Sequence, residues 1–460
     1  MWINRIKKQS EFAQTIRNLN QQVLIVRGAR QVGKTSFILH VLDSTSTPVL
    51  WVNLIRPSSF EVQGRKVYGR DFFGSAPDAS TLLANLQLVL GAFQQLAAPV
   101  VIFFDEVDQH PVVLEAVQIL AELSPQLKFV LSGSNLENLS PKNAATGRKK
   151  YFDLFPILFY EWLENMDVPE CSKFFAQWKN KTPSIPTEMI HTKMLSLLDT
   201  YLRIGGLPKM LETHFRAPQD QAKELSELMK DLAQTIEENV KAILGEKSKL
   251  YEYEDVLRKM GLLSMNTLKF SQLQVNHAGR SEAKKIVNKT VGARVAHKIR
   301  LFSDEGRDLS KYILFDTGFL NHLLNGSRLL ESVISEKNYS ILLETFVGTQ
   351  LIGEQISRDD VDYWKSGNQA EVEFALKAPV FCGIEVKKTL RASYSLDSFA
   401  IQEKNSQLLI LLSQSREYQN QIDYVAKMPN FPETRKIHRI TLPVYMVHFV
   451  PEILNHELKS

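Results

Sequence analysis

Cysteine is scarce. The 460 residues hold two, Cys171 and Cys382, which excludes a disulfide framework and any cysteine-based metal spacing and predicts a reducing, cytoplasmic setting. No uninterrupted apolar run reaches about 18 residues, so no membrane span is expected. The opening stretch, MWINRIKKQSEF, lacks the apolar core of a signal peptide. Neither an internal repeat nor a low-complexity tract is evident. Charge of one sign is also short: the formal net charge is +4, so any attraction to nucleic acid must come from a local patch. What remains is ordinary globular material, 44% hydrophobic and 23% charged, in a length that suits about two to four domains.

Residues 23–39 read VLIVRGARQVGKTSFIL. Within them GARQVGKT, Gly28 to Thr35, has the spacing G-x-x-x-x-G-K-[ST]. The apolar run before it reads as a buried parallel strand and SFILHVL after it as a helix, the context that a phosphate cradle requires. Gly28, Ala29, Arg30, Gln31, Val32, Gly33, Lys34, Thr35 and Ser36 are thereby predicted to surround the phosphates of ATP. The two glycines would let backbone N–H groups turn inward, and the helix N-terminus would add a favourable dipole. Lys34 would reach the β- and γ-phosphates and Thr35 would hold Mg²⁺.

APVVIFFDEVDQ, residues 98–109, is an apolar run that ends in carboxylates. A strand here would present Asp105 and Glu106 at its C-terminal end, where open α/β sheets bind ligands. Asp105 would help to hold Mg²⁺ and Glu106 would polarise the attacking water. A further strand, QLKFVLSGSN, places Ser134 and Asn135 where a polar sensor of the γ-phosphate would sit; a plain polar turn reads equally well. Helical periodicity between these runs completes a strand–helix alternation, which argues a parallel sheet with flanking helices. Arg148, after the polar loop LSPKNAATG, is either an arginine finger for a neighbouring subunit, which implies a homo-oligomer, or an exposed basic loop residue.

The middle of the chain reads as helical, with a linker expected at NKTPSIPTE, residues 180–188. Gly205, Gly206 and Pro208 punctuate two long helical runs. Residues 258–311 then carry twelve Lys or Arg against four acids, a local balance of +8. Such a patch suits a phosphate backbone, of DNA or RNA, or a solvated helical surface. Its shortage of aromatics leaves base stacking poorly supported.

From 339 to 413 the pattern reads α-β-β-β-α-β. The helix YSILLETFVGTQLIGEQI holds Glu344; the strands are DVDYWKS, QAEVEFAL and FCGIEVKK; a helix SLDSFAIQEKN and a strand QLLILLS follow. Strand alternation puts Glu371 and Glu373 on one face, and Glu385 with Lys387 on one face. This order resembles the core of PD-(D/E)xK nucleases. The resemblance implies metal ligation by Glu344, Glu373 and Glu385, with Glu385 and Lys387 catalytic, Lys387 stabilising developing charge. Glu373 stands where those nucleases usually carry Asp. Two readings stay open, an active nuclease site and a nuclease-like fold retired to binding or assembly.

Taken together, GARQVGKTS, VVIFFDEVDQ, LSGSN, GRKKYFDLFPILFYEWL, YLRIGGLPKML, KYILFDTGFLNHLL and EVEFAL…GIEVKK resemble, in this order, the bacterial and archaeal AAA-type P-loop ATPases with a C-terminal nuclease-like domain of unassigned function. Residues 250–311 depart from the winged-helix-like segment of that family. The implied architecture is α/β: a P-loop ATPase domain over 1–165 built on a parallel sheet with flanking helices, a helical lid or connector over 166–250, a basic, degenerate winged-helix-like region over 251–330, and a nuclease-like α/β domain over 331–460. The implied function is a Mg²⁺-dependent ATPase coupled to a domain that acts on or binds nucleic acid; the alternative is an ATP-dependent regulatory or assembly switch with an inactive C-terminal binding module.

Overall fold

The computed structural model describes residues 2–457 apart from 46, 63, 74–78, 92–98, 111, 137–147, 180–183, 217–220, 245–249, 274–278, 303–308, 327–328, 331–332, 355–359, 368–369, 390–392 and 429–431. The loop before Arg148 and the first residues of the expected linker at 180–188 thus lie outside the described residues. The chain divides into two units, one of residues 5–155 with 292–294, the other of 1–4, 156–291 and 295–460.

The first unit opens with α1 (Ile6–Arg17), β1 (Val23–Arg27) and α2 (Lys34–Asp43). It continues through β2 (Val49–Asn53), β3 (Phe60–Val62), β4 (Arg65–Tyr68), α3 (Ala79–Leu90), β5 (Val100–Asp105), α4 (Val112–Leu123), β6 (Leu127–Ser132) and β7 (Lys149–Asp153). The strands form one sheet in the order β3-β4-β2-β5-β6-β1-β7. Every pairing is parallel except the β3–β4 hairpin. β5 is buried at every position and β1 at its first four, which is why both read as continuous apolar runs rather than alternating ones. β1 lies beside β6, and β6 beside β5, so the loops that leave β1 and β5 emerge at the same sheet edge.

The second unit begins with helices α5 (Phe159–Glu164), α6 (Pro169–Lys179), α7 (Glu188–Ile204), α8 (Pro208–Arg216), α9 (Ala222–Leu244), α10 (Leu250–Leu262) and α11 (Arg280–Gly292). β8 (Ala296–Leu301), β9 (Ser310–Leu314), α12 (Thr317–Asn325), α13 (Glu336–Gly353), β10 (Val361–Ser366), β11 (Ala370–Leu376) and β12 (Cys382–Lys387) follow. α14 (Tyr394–Gln402), β13 (Leu408–Ser413), β14 (Gln419–Lys427), β15 (Thr434–Pro443) and α15 (Val450–Glu457) complete it. Its eight strands run β14-β15-β13-β12-β11-β10-β8-β9. β10, β11 and β12 are antiparallel neighbours, and β12 then pairs parallel with β13 across α14.

Two boundaries differ from those read in the sequence. Residues 156–165 belong to the second unit: the Phe159 ring meets Tyr201 of α7 at 5.4 Å and Phe346 of α13 at 5.8 Å, and the Phe159 N–H donates to Gln350 at 2.9 Å. The region 251–330 is not separate either. Its β8–β9 hairpin extends the sheet of the C-terminal region, with Asp362 opposite Arg300 and Tyr363 opposite Leu301 in parallel register. Strand pairing over some sixty residues joins what local composition separates.

Candidate functional site

The phosphate-loop motif spans the turn between β1 and α2. Gln31 and Gly33 have positive φ, 70° and 82°, which turns the backbone sharply just before the helix. Gly28 serves another purpose: a Cβ there would overlap the carbonyl oxygen of Leu154, so its absence allows close strand packing. Ala29 and Val32 are buried, Arg30 and Gln31 are partly exposed and Ser36 is exposed.

Lys34 folds back on the loop, its Nζ donating to the carbonyls of Gly28 at 3.0 Å and Ala29 at 2.9 Å. Burial pushes its ammonium down to about 8, against the opposing pull of Glu106, Asp105 and Asp108. The Thr35 hydroxyl donates to Asp105, at 3.1 Å to Oδ1 and 3.0 Å to Oδ2. Ser132, at the end of β6, donates to the same carboxylate. Burial raises the Asp105 pKa, and the hydrogen bonds from Ser132 and Thr35 oppose that rise. A threonine hydroxyl against a buried carboxylate is a hard-oxygen pair of the kind Mg²⁺ takes, so these residues fit the ion.

Glu106 follows directly in left-handed backbone, φ 60° and ψ 46°, a conformation that costs a non-glycine residue energy and concentrates at functional sites. Its buried Oε2 has no hydrogen-bond partner among the described residues. Burial and the neighbouring Asp105 and Asp108 hold its carboxyl above the usual range. Ser134 reaches Asp108 at 3.5 Å, and the buried Oδ1 of Asp108 and Oδ1 of Asn135 have no partner among the described residues. Ser132 and Asp108 were not singled out by sequence reasoning, although both lie inside the quoted stretches.

Arg148 is not brought to the loop by its own unit. β7 runs parallel to β1 with Val23 opposite Lys149 and Arg27 opposite Asp153, so Arg148 sits at the far end of the strand from Gly28. Its guanidinium pairs with Glu122 of α4. The arginine at the loop end is Arg27, bound to Asp153 at 2.7 and 3.0 Å and lying 4.1 Å over the Tyr151 ring. Arg294 holds the same carboxylate at 3.1 Å.

In the second unit, α13, β11 and β12 bring Glu344, Glu373, Glu385 and Lys387 within electrostatic reach. Glu373 lies one step beyond the paired Phe374 and Ile384, and its Oε2 accepts from the Val386 N–H at 3.2 Å. Burial, then the charges of Glu385 and Glu344, push the Glu373 carboxyl up to about 8. Glu344 is pushed up to about 7 by burial, against the pull of Lys311. Glu385 is raised by burial too; its Oε1 meets Lys387 Nζ at 2.5 Å, and its Oε2 accepts from Ser393, which also caps α14. Burial would lower Lys387, but Glu385, Glu373 and Glu344 outweigh it and raise it.

The expected metal set is not gathered in this arrangement: among the described residues, no group of three or more His, Cys, Asp or Glu is placed to hold a metal ion. The reason is visible in the bonding. Both Glu385 oxygens are engaged by Lys387 and Ser393, and Glu373 is engaged by backbone. A residue that sequence reasoning passed over stands beside them. Lys311 of β9 is 1% exposed, pairs with Glu371 and lies 4.7 Å from the Tyr363 ring. Lys365 meets the other Glu371 oxygen at 3.2 Å. The available signal was a lysine at the head of the apolar run KYILF.

Residues 20–163 match a family model described as AAA domain. No curated protein matches. Among solved structures, the chain is similar to the Walker-type ATPase PABY2304 of Pyrococcus abyssi at 15% identity and a TM-score of 0.41, over 70% of this chain and 96% of that one. The Orc1 protein of Aeropyrum pernix, in complex with DNA, follows at 12% identity and 0.30, over 72% and 94%. The Pif1 helicase of Candida albicans stands at 13% and 0.24, over 38% of this chain and 47% of that one. No described helix is long and apolar enough to cross a membrane. With the phosphate loop, the strand-end carboxylates and the parallel sheet all in place, the first unit carries an AAA-type P-loop ATPase domain.

Proposed function

We propose that the protein is a Mg²⁺-dependent ATPase coupled to a nuclease-like C-terminal domain that acts on or binds nucleic acid. The observation that carries the first half is the Thr35–Asp105–Ser132 cluster beside Lys34 and Glu106. Thr35 and Asp105 would hold Mg²⁺, which supplies charge neutralisation across the β- and γ-phosphates. Lys34 exchanges its carbonyl partners for phosphate oxygens. Glu106, whose Oε2 has no partner among the described residues, would orient a water for in-line attack. Ser134 and Asn135 would sense the γ-phosphate, and Arg148 would act only from a neighbouring subunit.

For the second half, the support is the α13-β10-β11-β12-α14-β13 succession with Glu344, Glu373, Glu385 and Lys387 facing one another electrostatically. Because the carboxylates are not gathered as a ligand set among the described residues, the support does not extend to metal-dependent cleavage. The engagement of Glu385 by Lys387 and Ser393 favours a second reading, an ATP-dependent switch whose C-terminal domain grips a partner without cutting.

Purified full-length protein should hydrolyse ATP, and Lys34→Ala should abolish turnover; undiminished turnover in that variant removes the phosphate-loop assignment. Cutting of DNA or RNA with Mg²⁺ or Mn²⁺, lost in Glu385→Ala, supports an active nuclease. Binding without cutting supports the switch.

A further inference from the structure

The basic segment between α10 and β9 encloses a cleft of about 860 Å³ that no part of the ATPase or nuclease-like readings uses. Its volume lies at the upper end of the roughly 300–1,000 Å³ typical of ligand sites. Lys269, Arg280 and Lys284 line it together with Leu268, Phe270 and Leu309, and no acid is among the described lining residues. The three cations are exposed, whereas Leu268 and Phe270 are buried.

The lining has a defined frame. The Leu268 N–H donates to the Ser310 carbonyl at 2.9 Å, which ties one wall to the start of β9. A 3₁₀ turn, Phe270–Leu273, supplies Phe270 and Ser271 to the lining, and Lys284 Nζ stands 5.7 Å from the Phe270 ring centroid. Arg280 opens α11, whose thirteen residues add positive potential at that end. The nearby acid on α11, Glu282, pairs with Lys285 at 3.6 Å.

We infer that this cleft binds a single-stranded nucleic-acid segment. Each nucleotide joins an anionic phosphate to a planar, largely apolar ring. The cations match the first and the apolar lining of Leu268, Phe270 and Leu309 matches the second. Ser271 and Ser281 add hydroxyl donors for phosphate or sugar oxygens. A stacked duplex cannot insert a base into such a recess, whereas a single strand can. The aromatic ring absent from the charge pattern alone is supplied by Phe270, which the fold places among the cations. The assignment rests on the reading that the C-terminal unit engages nucleic acid.

The test uses the full chain carrying Lys34→Ala, so that the phosphate loop does not contribute, and a fluorescein-labelled oligothymidylate of about 20 nucleotides, longer than the ~4–16 of one compact single-strand site. Fluorescence anisotropy is read over a salt series. Lys269→Glu, Arg280→Glu and Lys284→Glu combined should weaken binding at least about tenfold and flatten the slope of log K against log salt by about 2, three lost contacts at ~0.7 each. A charge-matched control, Lys173→Glu with Lys404→Glu and Lys427→Glu, should retain affinity. Lys284→Gln alone, the mildest change, should weaken binding by a few fold and guards against misfolding of the triple variant.

If the cleft variants bind the strand like the control, the site is overturned while nucleic-acid binding elsewhere stands. If the unsubstituted cleft binds no strand, the nucleic-acid reading itself fails. If thymidine monophosphate binds and is lost in the cleft variants, but the strand does not bind, the recess is a free-nucleotide site and the strand assignment is wrong.

Discussion

The Asp316 carboxylate accepts the Gly206 backbone N–H at 2.7 Å, and in doing so joins two stretches 110 residues apart, YLRIGGLPKML and KYILFDTGF. Its other oxygen accepts from Phe319 at 2.8 Å, which caps α12. The neighbouring Gly205 has φ 74°, and a Cβ there would overlap Asp316. A Cβ at Gly318 would overlap the Ile204 carbonyl. The glycines and the aspartate are thus parts of one buried joint, and each is needed for the others to approach.

Asp316→Ala should destabilise the second unit by about 2–4 kcal/mol, the loss of two hydrogen bonds to a buried acceptor. Asp316→Asn keeps an acceptor oxygen and should lose less. Urea denaturation of both variants checks this; equal midpoints for Asp316→Ala and the parent would show that the joint adds no stability.

Lys34→Ala and Glu106→Gln should separate binding from chemistry. Loss of the phosphate-facing charge in Lys34→Ala should cut turnover by at least about a hundredfold and weaken nucleotide binding. Glu106→Gln should keep nucleotide affinity while turnover falls by about a hundredfold or more. Steady-state hydrolysis alongside equilibrium nucleotide binding distinguishes the two.

Arg148→Ala tests the finger directly. Its pair with Glu122 is solvent-exposed, so thermal stability should move by less than about 1 kcal/mol. Turnover should nevertheless collapse with nucleotide binding intact. Turnover equal to that of the parent would leave Arg148 as a surface residue.

Stability should depend on pH through Glu373. Its folded pKa of about 8 stands above the ordinary 4.5, so the folded state holds the proton more tightly than the unfolded chain. The associated stabilisation is complete below about pH 4.5 and is lost as pH rises through about 8, at up to about 1.4 kcal/mol per pH unit inside that window. Glu344, at about 7, acts in the same direction. The melting temperature of the parent should therefore fall between pH 5.5 and 8.5 more steeply than that of Glu373→Gln, by differential scanning calorimetry. Parallel curves would mean that Glu373 is charged throughout.

Much of the ATPase site was legible because its signals are local. A buried parallel strand is a continuous apolar run, and the motif spacing from Gly28 to Thr35 ties the turn to the helix that follows. The left-handed backbone of Glu106 was not legible, since nothing in DEVD demands it. The packing constraint on Gly28 was not legible for a similar reason: the atom it makes room for, the Leu154 carbonyl, is far away in sequence. In the C-terminal region the alternation of EVEFAL is interrupted by a register shift opposite Asp362–Trp364, so that Val372 joins the cluster of Leu396 and Phe399 while Phe374 lies against Gly348, and neither this shift nor the partners of the charged residues were legible. Ser393 reaches Glu385 from the cap of α14, and Lys311 arrives from β9, a strand that composition had assigned to a different domain.

The succession of strands and helices, the phosphate-loop chemistry and the surplus of positive charge over 258–311 are all properties of short windows, and the chain order states them unaided. Which charges meet is another matter. The pairing of Asp316 with Gly206, the addition of β8 and β9 to the second sheet, the burial that raises Glu344 and Glu373, and the gathering of Lys269, Arg280 and Lys284 around Phe270 all depend on non-local register and on exclusion of water. Those are consequences of packing, and only the folded chain decides them.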